Sequence, residues 1–80
     1  MQVSLNGMLQ TAAGGNATVE VEADTIDELL ARLVERYPAF TKHVEEGVAV
    51  AIDGEIYRDD GTRQIPPGAE VFLIPRIAGG

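Results

Sequence analysis

The chain has no cysteine among its 80 residues and a single histidine. The first absence removes disulfides, thiolate metal ligands and cysteine nucleophiles together, and it fits a reducing cytoplasm. The second leaves His43 without a second histidine or a thiolate to build a metal site or a catalytic triad, so an exposed or capping imidazole is expected. Basic residues are scarce as well. Six are scattered along the chain (Arg32, Arg36, Lys42, Arg58, Arg63, Arg76) against thirteen carboxylates, for a net charge of −7. Phosphate binding by counterion release needs clustered lysine and arginine, so nucleic acid is not an expected partner. An acidic surface suits a protein partner with a basic face, which governs encounter rate and partner choice. No apolar run approaches the ~18 residues of a membrane span. Met1-Gln2-Val3-Ser4 has no basic segment leading into an apolar one, so a secretory leader is not expected.

What remains is the composition of one small globular domain, 45% hydrophobic and 24% charged. Val3 and Leu5 alternate with polar neighbours over residues 1–9, and Ala17, Val19, Val21 and Ala23 alternate over 17–23. Two such patterns joined by the Gly14-Gly15 loop predict an antiparallel hairpin. Thr25 with Glu28 three residues later forms a capping box, and Asp24, Asp27 and Glu28 place negative charge where a helix dipole favours it. Ile26, Leu29, Leu30, Leu33, Val34 and Tyr37 then make one apolar stripe of 3.6-residue period, ended by Pro38. Residues 39–44 are expected to add a short turn. Val48, Val50 and Ile52 mark a strand, Asp53-Gly54 a turn, Glu55-Ile56-Tyr57 a brief strand, 58–64 a polar loop and 70–74 the last strand. Pro75 cannot donate to a ladder, so pairing should stop there.

One helix across one face of a mixed sheet of four to five strands uses every stripe, and the crossover sets the last strand beside the first. The expected fold is therefore α+β, a β-grasp domain over residues 1–76 with a flexible Gly-Gly tail at 77–80. The four residues beyond Arg76 reach about 13–14 Å when extended. Ala78, Gly79 and Gly80 carry almost no side-chain bulk, so such a tail fits a narrow channel in another protein.

The run Gly68-Ala69-Glu70-Val71-Phe72-Leu73-Ile74-Pro75-Arg76-Ile77-Ala78-Gly79-Gly80 resembles the C-terminal signature of the MoaD/ThiS family of ubiquitin-like sulfur carriers, which includes the molybdopterin synthase small subunit. Glu35-Arg36-Tyr37-Pro38 and Val50-Ala51-Ile52-Asp53-Gly54 extend the likeness over nearly the whole chain. Arg76 and Ile74 depart from the molybdopterin-type pattern, where a second proline and a phenylalanine are common. The resemblance implies a carrier, not an enzyme. Its Gly80 carboxylate would be adenylated by an ATP-dependent, ubiquitin-activating-like partner, converted to a thiocarboxylate, and used by a sulfur-accepting synthase subunit. It implies no bound cofactor; ATP belongs to the activating partner. Molybdopterin synthesis is the leading destination, with cysteine, thiamine and tRNA thiolation as alternatives, and conjugation to other proteins through Gly80 as a further one.

Period-two geometry supplies a docking surface. If Val71 and Leu73 face the helix, Phe72 and Ile74 face away from it. With Arg76, Ile77 and Ala78 they form the expected partner-binding set, unless the 58–64 loop covers them. Asp59-Asp60 with Glu55 lacks the spacing of a calcium loop, and Gly14-Gly15 lacks the Lys-Ser/Thr of a phosphate loop.

Overall fold

The computed structural model describes residues 1–58 and 60–75. The chain runs β1 (Gln2–Ser4), α1 (Met8–Ala12), β2 (Thr18–Glu20), α2 (Ile26–Arg36), α3 (Phe40–Glu46), β3 (Val48–Ile52), β4 (Glu55–Tyr57) and β5 (Val71–Pro75). The five strands form one mixed sheet in the order β2-β1-β5-β3-β4. The last strand lies beside the first, parallel to it, with Val3 opposite Val71. It also pairs antiparallel with β3 from Ile52↔Val71 to Val48↔Pro75. β5 is thus the central strand, and Pro75, which has no N–H to give to a ladder, is its last paired position among the described residues.

The capping box forms with one shift. The Glu28 N–H donates to Thr25 Oγ1 at 3.2 Å, while the Glu28 carboxylate accepts from the N–H of Asp24, one residue before the cap. The two remaining N–H groups of the first turn are taken by the β4–β5 connection: Ile26 donates to the Arg63 carbonyl and Asp27 to the Gly61 carbonyl. Three of the four donors that a helix start leaves open, those of Ile26, Asp27 and Glu28, are therefore satisfied. Ile65 N–H in turn donates to Asp24 O, and the Ile65 side chain is buried in the core. These bonds fix the connection over the start of α2, on the helix side of the sheet.

Ile26, Leu29 and Leu33 are buried, and Leu30, Val34 and Tyr37 pack at the edge of the same cluster. That cluster also holds Val3, Leu5, Val19, Val50, Ile52, Val71 and Leu73, so a single core lies between the helices and one face of the sheet. At about 1.5–3 kcal/mol for each fully buried large aliphatic side chain, this layer is the main source of stability.

Two expectations are corrected. The β1–β2 connection is not a plain loop, because Met8–Ala12 is helical. Leu9 and Ala13, four apart, both bury completely, which is helical rather than strand spacing. Gly7 enters α1 at φ 56 and Gly14 and Gly15 leave it at φ 71 and φ 91, backbone that side-chain-bearing residues avoid. The turn expected over 39–44 is the seven-residue helix α3, whose Phe40 is wholly buried. The second strand pattern holds except at its start: Val19 and Val21 are buried and Ala23 packs against the core, whereas Ala17 is exposed. Asp53 (φ 50) and Gly54 (φ 88) form the two-residue turn between β3 and β4, the hairpin geometry that Asp-Gly favours.

Candidate functional site

Alternate residues of β3 and β5 point to opposite sides of the sheet. Val50, Ile52, Val71 and Leu73 enter the core, so Ala49, Ala51, Phe72 and Ile74 lie on the face that carries no helix. Phe72 is 47% exposed and Ile74 half-buried. The alternation expected for the last strand is therefore observed. Within the 58–64 loop, Gly61 and Arg63 are bonded to the start of α2 on the other side of the sheet.

The strand register shows how the face is built. Ile56 stands opposite Ala51, Ala51 opposite Phe72, Phe72 opposite Ser4, and Ser4 opposite Thr18. One row across all five strands thus reads Ile56, Ala51, Phe72, Ser4, Thr18, apolar on the β4 side and hydroxyl-bearing on the β2 side. Ala49 stands opposite Ile74 along the same strands. Ala49 and Ala51 are 6% and 9% exposed although no helix covers them. Their larger neighbours Ile56, Phe72 and Ile74 account for that, leaving shallow ground between bulky flanks. Ile56 was not among the expected docking residues. The signal was available: a two-residue turn at Asp53-Gly54 fixes Ile52 opposite Glu55 and hence Ala51 opposite Ile56.

At the far end of β5 from its C-terminus, Asp53 and Glu70 exchange bonds. Asp53 N–H donates to Glu70 O, and Glu70 N–H donates to the Asp53 carboxylate, both at 2.9 Å. On the helix side of β4, Tyr57 packs against the core and its hydroxyl donates to Glu55 Oε2 at 2.9 Å. That hydrogen bond to a carboxylate, reinforced by desolvation, raises the Tyr57 pKa above the usual tyrosine value. His43 sits half-buried with its ring edge-on to Phe40. Asp60 accepts from Arg63 Nε at 3.1 Å. No cluster of three potential metal ligands occurs among the described residues, and no helix among them is long and apolar enough to cross a membrane. Of the expected site residues, Phe72 and Ile74 share the open face. Arg76, Ile77, Ala78, Gly79 and Gly80, and with them the tail boundary, lie outside the described residues.

A mixed sheet whose last strand inserts centrally beside the first, with a crossover helix over one face, is the ubiquitin-like β-grasp fold. The chain belongs to the ThiS family, whose family model matches residues 3–80, a family of small sulfur carriers and ubiquitin-like modifiers. Solved structures agree on the fold. Mycobacterium tuberculosis CysO, an antigen, superposes with a TM-score of 0.79 at 18% identity, over 95% of this chain and 98% of that one. The small archaeal modifier protein 1 of Methanosarcina acetivorans gives 0.78 at 22% identity, over 99% and 94%. A putative molybdopterin converting factor subunit 1 from Pyrococcus furiosus gives 0.78 at 20% identity, over 95% and 95%. No curated protein matches the sequence significantly.

Proposed function

We propose that the chain is a sulfur carrier whose reactive group is the Gly80 α-carboxylate. Membership of the ThiS family, with the match running through Gly79 and Gly80, is the observation that carries this reading. A free α-carboxylate is ionised near neutrality, with a pKa of about 3.3–3.7, and is a poor acyl donor. A ubiquitin-activating-like partner therefore joins it to AMP at the expense of ATP, releasing pyrophosphate. Sulfide delivered by a donor then displaces AMP and leaves a thiocarboxylate. The sulfur of that group is the nucleophile that a synthase subunit consumes, and molybdopterin synthesis is the favoured destination. Cysteine, thiamine and tRNA thiolation use the same chemistry with a different receiver. Conjugation through Gly80 to amines of other proteins is the second reading, favoured by the structural likeness to an archaeal modifier protein.

The fold supports this role mechanically. β5 is paired with β1 at Val71 and Phe72 and with β3 from Val71 through Pro75, so the strand that precedes the Gly-Gly end is the central one of the sheet. Phe72 and Ile74 on the open face, with Arg76, Ile77 and Ala78 following, form the surface that engages the activating enzyme. Catalytic groups for activation and transfer belong to the partners. Incubation with an activating enzyme, ATP and a sulfide donor should raise the intact mass by the difference between sulfur and oxygen, with the change mapped to the Gly79-Gly80 peptide. A chain that stays unmodified with every such partner of its source would overturn the carrier reading.

A further inference from the structure

Five of the six basic residues are arginine, and Lys42 is the only lysine in the sequence. A guanidinium stays charged throughout the working pH range and does not accept acyl groups. A lysine amine, once deprotonated, attacks activated acyl carbon. Thiols, the other strong competitors, are absent. The chain thus carries one side-chain group suited to capture an activated carboxyl end.

The backbone offers a second amine, and the fold occupies it. The Met1 ammonium donates to the Val21 carbonyl at 3.0 Å and lies 3.3 Å from the Glu22 carboxylate and 3.4 Å from that of Glu20. Desolvation opposes its charge, but the two carboxylates outweigh it and raise its pKa, so this amine stays protonated and engaged. Lys42 differs. It is exposed on α3, whose Phe40 is buried, and no carboxylate among the described residues pairs with it.

Placement matters as well as chemistry. α3 belongs to the helix layer, because Phe40 enters the core between helices and sheet. The Phe72–Ile74 face is on the other side of that sheet. A copy engaged through its open face still presents Lys42.

We propose that Lys42 is the acceptor through which one copy of this chain is joined to the activated Gly80 of another. This rests on the reading of Gly80 as an acyl end. In the step, Lys42 Nζ attacks the Gly80 carbonyl carbon and a C–N bond forms. The C–O bond to the adenylate breaks with AMP as leaving group, and a proton passes from the amine to solvent. From a thioester the C–S bond breaks and the thiol leaves. No electron transfer is involved.

The test uses the full chain bearing a small-thiol thioester at Gly80, made chemically, with hydroxylamine consumption confirming that the acyl end is live. Incubated alone, it should give a product of two chains less one thiol, with the Gly79-Gly80 branch mapped to Lys42. Lys42→Arg should abolish that product while leaving the hydroxylamine reaction and the thiocarboxylate mass gain unchanged. A branch at the Met1 amine, an undiminished product in the variant, or hydrolysis alone would overturn the proposal. Since the thioester needs no activating enzyme, failure here counts against Lys42 only. Failure to gain sulfur mass counts against the carrier reading.

Discussion

The two faces of β3 and β5 are built from neighbouring residues of the same strands, yet they meet different surroundings. On the covered face Val50, Val71 and Leu73 are 1–2% exposed beneath α2. On the open face Phe72 is 47% exposed and the adjacent alanines are shielded only by their flanking side chains. The covered face resists unfolding; the open face is left as an apolar surface flanked by bulky residues. A strand of five residues thus divides buried from open positions by parity alone. Substitutions of opposite parity should therefore have effects of different kinds.

The largest effect on folding is expected from Leu73→Ala. Leu73 is 1% exposed at the centre of the core, and deleting a buried leucine side chain costs about 2–5 kcal/mol. Against a total of roughly 5–15 kcal/mol for an ordinary domain, that is a large share. Urea unfolding should show a much lower midpoint with an unchanged slope. A midpoint as high as that of the parent would mean that β5 does not anchor the core.

One position further on each side, the consequence changes. Phe72→Asp with Ile74→Asp should cost only about 1 kcal/mol per position, the span of strand propensity at partly exposed sites. The same pair should abolish ATP-dependent activation of Gly80, read as pyrophosphate release with the activating enzyme. Unchanged activation kinetics would remove the docking role from this face. A large loss of stability would instead make the face structural, and the contrast between the two parities would fail.

How much of this contrast the sequence discloses follows from the physics of each element. The α2 stripe, its Thr25 cap, the Asp53-Gly54 turn and the alternation of the last strand are local signals of fixed period, and all appear in the structure. α1 is not legible in the same way. At five residues it is too short to show a period, and its evidence is only Leu9 and Ala13 between flanking glycines. The length of α3 was underestimated because Phe40 precedes a polar stretch, and only tertiary packing reveals that it is buried. Ile56 belongs to the open face through register with Ala51, information that lies in pairing rather than in composition. The Gly79-Gly80 end is legible only in sequence, since residues 76–80 are outside the described part of the fold.

The smallest effect tests how far the covered face extends. Ile56 and Tyr57 are neighbours on edge strand β4. Ile56 is 54% exposed on the open side, whereas Tyr57 packs against the core with Arg63 over its ring and its hydroxyl on Glu55. The hydrogen bond to the carboxylate favours the neutral phenol, so the folded pKa lies above the unfolded one. A raised folded pKa means that the folded state holds the proton more tightly. The associated stability is then fully present below the ordinary tyrosine pKa and is lost as pH rises through the folded value. Glu55→Gln should lower the Tyr57 midpoint toward that of a free tyrosine, measured by tyrosinate absorbance in a Tyr37→Phe background, and should narrow the alkaline window of stability. If the midpoint does not move, Glu55 does not hold the hydroxyl in solution. The ordered, covered face then stops at β3, with both residues of β4 belonging to the exposed edge.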